Sequence, residues 1–167
     1  MTDDVINRYR ERVRNLIKMG VETPIDNASA RHATVIINEM ISGAQISFYA
    51  YARKMSKEVW TDDVLASLQD ANSRSVSVRI LVDDDCEAIA TDRLAPELHT
   101  MVRRVKSAGE GLGNHFSVAD GRMLRFETNP EKRTAMFLAN NRKLAGEVSR
   151  KFQKMYLAGR PYARVTV

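Results

Sequence analysis

The sequence lacks the features that mark secreted, membrane-spanning and zinc-binding proteins. Its one cysteine, Cys86, excludes an internal disulfide and a cysteine-rich zinc site. No segment approaches the roughly 18 consecutive apolar residues of a membrane span. The N-terminus, Met1-Thr2-Asp3-Asp4, is acidic and has no hydrophobic signal region. We therefore expect a cytoplasmic protein without a membrane span.

The sequence also offers little to hold a metal ion or a cofactor. The glycine-rich segment 107–113 does not follow a strand and open a helix, so it is not typical of a phosphate-binding loop. Asp83, Asp84 and Asp85 are adjacent, and neighbouring strand side chains alternate in direction, so at most two share a face. A solvated strand end is favoured over a metal site. We predict no metal and no cofactor.

The chain does have the size and charge of a polyanion-binding domain. Its 167 residues suit one compact domain with a full core. The net charge is +5, and lysine and arginine are concentrated in the C-terminal third. This balance is compatible with a nucleic-acid partner, although solvated surface charge explains it equally well.

Hydrophobic periodicity predicts alternating helices and strands. The predicted helices span residues 3–19, 29–42, 62–72, 96–106 and 142–157. The predicted strands outside the central hairpin span residues 45–51, 75–83, 134–139 and 162–167, and residues 21–27 form a connector. Helix–strand alternation in the first half favours parallel strands with helices on both faces. The expected fold class is α/β, with a mixed, mostly parallel sheet flanked by helices.

Residues 113–130 predict a β-hairpin, because two alternating segments flank the turn dipeptide Asp120-Gly121. A three-residue loop, 120–122, pairs Val118 with Leu124 and Phe116 with Phe126, so the apolar residues share one face. A two-residue loop mixes the faces, because a one-residue slip inverts a strand. We therefore predict the three-residue loop.

The same register places polar side chains together on the other face of the hairpin. Ser117 faces Arg125, and His115 faces Glu127. We call these four residues the polar strip; Thr128 and Asn129 follow at its end. This strip is the candidate functional site.

The order of elements resembles one half of the phospholipase D superfamily. Three segments carry the resemblance: the helix and strand of 33–49, the helix and strand of 64–84 with the sequence VSVRILVDD, and 113–156 from the hairpin through the last helix. The resemblance implies a core of residues 28–158, with an N-terminal helix extension at 1–20 and a tail at 160–167. It further implies that 1–167 is a single phospholipase D-like domain.

The catalytic signature of that family, His-x-Lys-x4-Asp-x6-Gly-Ser-x-Asn, is only partly present. Aligned on Asp120, the nucleophilic histidine is replaced by Gly113 and the phosphate-binding lysine by His115. The Gly-Ser-x-Asn positions hold Glu127, Thr128, Asn129 and Pro130, so the expected asparagine is displaced by one residue. Asp120 alone is retained.

This departure leaves two interpretations of the polar strip. In the first, catalysis is lost, and Ser117, Arg125, Thr128 and Asn129 bind phosphate in a basic groove, with Arg125 replacing the missing cation. In the second, His115 is a displaced nucleophile, with Glu127 beside it as the other candidate catalytic residue. In either case the charge of Glu127 favours protonation of His115, which would replace the positive charge of the missing lysine. Single-copy family members form homodimers that bring two such hairpins together, so the resemblance implies a possible homodimer in which two His115 rings could face each other.

These interpretations give three candidate functions. The first is a catalytically degenerate phospholipase D-like protein that binds nucleic acid or another phosphate-bearing ligand. The second is an active phosphodiesterase or nuclease that uses His115 and Glu127, since single-domain family members are often nucleases. The third is an inhibitor or regulatory module that binds a protein partner through the remnant groove.

Overall fold

A single mixed β-sheet with helices on both faces forms the framework of the protein. The computed structural model describes residues 2–84, 91–106 and 114–162. The described α-helices are α1 (Asp3–Met19), α2 (Ala30–Gly43), α3 (Asp62–Ser73) and α4 (Arg142–Ala158). The strands are β1 (Ile25–Asn27), β2 (Ser47–Tyr51), β3 (Ser77–Asp83), β4 (Val102–Val105), β5 (Phe116–Ala119), β6 (Met123–Asn129), β7 (Thr134–Leu138) and β8 (Arg160–Pro161).

The strand order is β1-β7-β6-β5-β2-β3-β4-β8. Neighbouring strands β2, β3 and β4 run parallel, while the other paired strands of the described chain are antiparallel. The mixed α/β sheet is confirmed, but its parallel part is smaller than expected. The reason is that β5, β6 and β7 follow one another through short turns, which only antiparallel strands permit.

Two hydrophobic layers hold helices against the sheet. One layer packs α1, α2 and α3 through residues such as Val13, Ile36 and Leu68, all fully buried. The other packs α4 through Phe152 and Tyr156. α2, α3 and α4 therefore bury their apolar stripes against the sheet, and α1 buries its own against α2, as the sequence periodicity predicts.

Helix boundaries agree with the predicted ones to within about one residue and have local causes. Ser29 Oγ accepts a hydrogen bond from the His32 N–H at 3.1 Å, and Asn141 Oδ1 accepts one from the Leu144 N–H at 2.9 Å. Gly20 ends α1 with φ = 63°, a left-handed conformation that glycine adopts without steric cost.

The helix predicted over 96–106 is wrong. Pro96–Met101 forms a 3₁₀ helix, and Val102–Val105 continues as β4. The apolar residues of this segment also fit a strand. β4 pairs in parallel with β3 and antiparallel with β8, so the hydrogen bonds of two neighbours override the helical spacing.

Two shorter predictions concern the ends of the sheet. The predicted connector at 21–27 contains β1, which pairs antiparallel with β7, so that prediction is wrong for its last three residues. A three-residue edge strand has too little periodicity to be read from sequence. The predicted terminal strand at 162–167 lies, apart from Tyr162, outside the described residues, as do Asp85, Cys86 and Gly113.

Candidate functional site

The predicted hairpin is confirmed in both its loop and its register. Phe116 pairs with Phe126, Ser117 with Arg125, and Ala119 with Met123. The Glu127 N–H donates to the His115 carbonyl at 2.9 Å, which extends the pairing to the end of the strip.

The two faces of the hairpin separate as the register requires. Phe116, Val118 and Leu124 pack under α4 in the second hydrophobic layer. The polar strip lies on the opposite face and is largely buried, since Ser117 is 2% exposed and Arg125 is 8% exposed. Ser117 and Arg125 therefore do not lie on an open strand surface, whereas His115 and Glu127 are half-buried.

Asp120 ties the hairpin turn to the start of β2. It adopts φ = 53°, and Gly121 adopts φ = 60°. The Asp120 carboxylate accepts hydrogen bonds from the backbone N–H groups of Gln45, Ile46 and Ser47 at 3.0, 2.8 and 3.0 Å. The carboxylate that the family signature retains thus holds two strands together in this chain.

A cavity of about 710 Å³ opens beside the polar strip. Five basic and two acidic side chains line it, which gives the described lining a net charge of +3 when His115 is neutral. The charged lining residues are Arg53, Lys54, Lys57, Arg125, Arg133, Glu58 and Glu127. Its other walls include His115, Ser117, Ile37, Tyr51, Trp60 and Phe116. The site is basic and concave, a combination suited to an anionic ligand.

Arg125 is the least compensated charge in this cavity. Its Nε atom is buried and has no hydrogen-bond partner among the residues that the structure describes. None of those residues forms a salt bridge with its guanidinium within 4 Å. Burial lowers the pKa of Arg125, and Glu127 and Tyr9 act in the opposite direction. Since an arginine stays charged in a protein, the cavity contains a buried cation that favours the binding of an anion.

Arg53 is held in place at the cavity wall from behind. Its Nε donates to Asp83 Oδ2 at 3.0 Å, and Tyr51 Oη donates to Asp83 Oδ1 at 2.6 Å. Asp83 is 1% exposed and lies at the carboxyl end of β3. The solvated strand end expected for this aspartate is therefore wrong at Asp83, because its carboxylate is the buried anchor of a cavity arginine.

His115 lies among four charged groups, and its net electrostatic environment disfavours protonation. Burial is the largest cause and lowers the pKa of His115 below its ordinary value of 6.5. Glu127 and Asp83 raise this pKa, whereas Arg125 and Arg53 lower it. The expected effect of Glu127 has the right direction, but burial outweighs it. The imidazole is thus neutral near pH 7.

The remaining predicted residues lie at the edge of the site. Glu127 lines the cavity, and its Oε2 accepts a hydrogen bond from the His115 N–H at 3.4 Å. Thr128 Oγ1 lies 3.1 Å from Thr134 Oγ1, and Asn129 Oδ1 accepts from the Lys132 N–H at 2.9 Å. Neither Thr128 nor Asn129 is among the described residues that line the cavity. The structure brings together four of the six residues, while Thr128 contacts the start of β7 and Asn129 contacts the turn before it.

Sequence reasoning missed the basic segment between β2 and α3. Arg53, Lys54 and Lys57 all line the cavity, as does Arg133 from the turn after β6. The carboxyl ends of neighbouring parallel strands are the usual place for ligands in open α/β sheets. That rule, applied to β2 as well as to β3, would have found the first three.

The described part of the chain shows neither a metal-binding cluster nor a membrane-spanning helix. Within residues 2–84, 91–106 and 114–162, no group of three or more His, Cys, Asp or Glu side chains is arranged to hold a metal ion. No helix within those ranges is both long and apolar enough to cross a membrane.

Comparison with solved structures gives the fold. A phospholipase D family member, Nuc from Salmonella typhimurium, superimposes with a TM-score of 0.59 at 17% identity, covering 85% of this chain and all of that chain. NucT from Helicobacter pylori gives a TM-score of 0.60 at 13% identity, with 84% of this chain and all of NucT covered. This chain has a phospholipase D-like fold.

Two larger proteins share this phospholipase D-like fold over almost all of the chain. TrmBL2, an archaeal chromatin protein, gives a TM-score of 0.66 at 12% identity; 95% of this chain is covered, but only 63% of TrmBL2. Phosphatidylserine synthase from Haemophilus influenzae Rd KW20 gives 0.63 at 14% identity, with 97% of this chain and 44% of that chain covered. No family model and no curated protein sequence matches this chain.

Proposed function

We propose that this phospholipase D-like protein binds a phosphate-bearing ligand, with nucleic acid as the first candidate, and does not cleave it through a phosphohistidine. The observation that carries the proposal is Arg125, a buried guanidinium on the cavity wall without an ion pair in the described chain. A phosphate accepts two parallel N–H hydrogen bonds from such a group. Gly113, at the family's nucleophile position, supplies no side chain for covalent catalysis.

The charge of the cavity and one structural neighbour support the choice of nucleic acid. Arg53, Lys54 and Lys57 extend the positive lining from Arg125 towards the exposed rim. TrmBL2, which has the same fold, is described as having a novel mode of DNA binding. A basic cavity on this fold is consistent with contact to a phosphate backbone.

Fluorescence anisotropy with single-stranded DNA, duplex DNA and single-stranded RNA tests this function. We expect binding to at least one of them that weakens as salt is raised. The variant R125Q should lose at least about tenfold in affinity, because one charge-assisted bidentate contact is removed. Loss of affinity without loss of structure is checked by circular dichroism of the same sample.

The matched control is R150Q, which removes an exposed arginine from α4, the helix on the opposite face of the sheet. It should bind as the unaltered protein does. If no nucleic acid or mononucleotide binds in a salt-sensitive manner, the proposed function is wrong. If R125Q and R150Q weaken binding equally, the ligand contacts the surface charge in general and not this cavity.

A second candidate is phosphodiester cleavage at His115, and one observation favours it. Burial lowers the pKa of His115, and the resulting neutral imidazole is the form that can attack phosphorus. H115A should then abolish cleavage of DNA, RNA or a chromogenic phosphodiester, and sedimentation should reveal the dimer that places two hairpins together. Unaltered cleavage by H115A, or none by the unaltered protein, removes this candidate.

A further inference from the structure

The depth of Arg125 restricts which kind of phosphate can reach it. Its side chain is 8% exposed, and Ser117, directly opposite it in the hairpin, is 2% exposed. A phosphate inside a polymer carries a sugar on each side, so it must be approached along an open groove. A terminal phosphate carries one substituent and can enter a pocket end-on.

The size and lining of the cavity favour the same class of ligand. A volume of about 710 Å³ is typical of small-molecule sites and too small for a duplex. Ile37 and Trp60 supply apolar walls next to the cations. The excess of three positive charges in the described lining suits a phosphate monoester, which is close to a dianion at pH 7.

Two arginines approach this space from different strands. Arg125 comes from β6 at the buried end of the strip, and Arg53 follows β2, fixed by Asp83 and Tyr51. Arg125, Arg53 and His115 all line the same cavity, so the two cations lie beside one space. Two cations from different strands that line one cavity can bind the several oxygens of a terminal phosphate.

We propose that the cavity selects a terminal phosphate monoester, and that Arg125 and Arg53 together bind its phosphate group. The inference rests on the proposed function and names its ligand class. The monoester has two sources, the phosphorylated end of a nucleic acid and a free mononucleotide.

The test compares single-stranded oligonucleotides of one sequence, each labelled at an internal base. One carries a 5′-phosphate, one a 3′-phosphate, and one a hydroxyl at both ends. One phosphorylated form should bind at least about tenfold more tightly than the hydroxyl form. Unlabelled AMP should compete with it, whereas adenosine should not. AMP binding without oligonucleotide binding assigns the site to free mononucleotides and supports the monoester.

Variants connect the discrimination to Arg125. R125Q should bind the phosphorylated and hydroxyl forms equally, R125K should keep part of the difference, and R150Q should keep all of it. If R125Q fails to fold, the R125K comparison still decides the role of the planar guanidinium. Equal binding of all three oligonucleotides by the unaltered protein overturns the monoester but leaves nucleic-acid binding intact. Absence of binding to every oligonucleotide and to AMP overturns both.

Discussion

Arg125 is unfavourable for the folded protein on its own, because its guanidinium is buried and the described residues give it no ion pair. Burying a charge without a partner costs free energy unless a ligand compensates it. A residue that lowers stability in the free protein and lines a cavity is typical of a binding site. Stability and binding should therefore respond to Arg125 in opposite directions.

We expect R125M to raise the free energy of unfolding of the ligand-free protein by about 1 to 3 kcal/mol, since methionine fills similar space without a charge. The same variant should lose affinity for phosphate-bearing ligands. Urea denaturation measures the first effect and anisotropy the second. R150M, on an exposed position, should change stability by less than about 0.5 kcal/mol. A large loss of stability in R125M would contradict our description of the guanidinium as unpaired.

His115 should make stability depend on pH. Its folded pKa is below the ordinary 6.5, so the unfolded chain binds more protons between the two values. The stabilising contribution is complete above about pH 6.5 and is lost as the pH falls through the folded pKa. Urea denaturation at pH 5 and pH 7 should show this loss, and H115N should reduce it. His32, whose pKa burial also lowers, contributes in the same direction and remains in both proteins.

A bound phosphate should reverse the protonation preference of His115. An anion beside the imidazole raises its pKa, so binding takes up a proton and affinity increases as the pH is lowered below 6.5. Calorimetry in two buffers of different ionisation enthalpy measures the proton uptake. H115N should abolish the uptake; uptake that persists in H115N would assign it to another group.

At the scale of elements, Asp120 connects the β5–β6 turn to β2. Its carboxylate accepts hydrogen bonds from the backbone N–H groups of Gln45, Ile46 and Ser47, and Ser47 is buried. D120A should lower the free energy of unfolding by about 2 to 3 kcal/mol, because charge-assisted hydrogen bonds are lost. D120N, which keeps the amide oxygen as an acceptor, should lose less.

Gly121 provides the conformational control for that measurement. It has φ = 60°, and a Cβ added there would meet no atom within 4 Å, so G121A tests only the cost of the left-handed conformation. We expect a loss of about 1 kcal/mol. If G121A costs as much as D120A in thermal or urea denaturation, the carboxylate contacts contribute little.

The helix α1 lies outside the segments that resemble the family, yet it packs closely on α2. Val13 is fully buried, and a Cβ on Gly43 would lie 3.2 Å from Ile17 Cγ2, which shows how near the two helices are. We propose that α1 unfolds with the rest of the chain. V13A should cost roughly 2 kcal/mol in one cooperative transition, and R12A, on the exposed side, should cost little. A separate transition at lower denaturant concentration would show that α1 unfolds independently of the rest of the chain.

At the scale of the whole molecule, the net charge of +5 is less informative than the place where charge is concentrated. A cavity admits few phosphates, so log Kobs for single-stranded DNA should fall against log salt with a slope of only about −2 to −3. K54Q should reduce that slope by about 0.7, the value for one phosphate contact. Titrations at several salt concentrations measure it. An unchanged slope in K54Q, or an equal change in R150Q, would remove Lys54 from the interface.

Local patterns were sufficient wherever a segment had a strong period or a specific turn. The hairpin register followed from alternation and from Asp120-Gly121, because a slip of one residue would have buried polar side chains under α4. The segment 102–105 was mistaken for helix because Leu98, Met101, Val102 and Val105 follow the helical period, and pairing with β3 and β8 decided the outcome. The three residues of β1 are too few to show the alternation that predicts a strand.

The sequence by itself determined the strand pairing of the hairpin, the four helices, and which side chains of the strip share a face. Those properties depend on neighbours within a few residues. Only the tertiary structure decided that the strip is buried and that Arg53, Lys54 and Lys57 join it in one cavity. It also determined that burial outweighs Glu127 in setting the pKa of His115. Desolvation and long-range charge depend on segments distant along the chain, and no local pattern encodes that proximity.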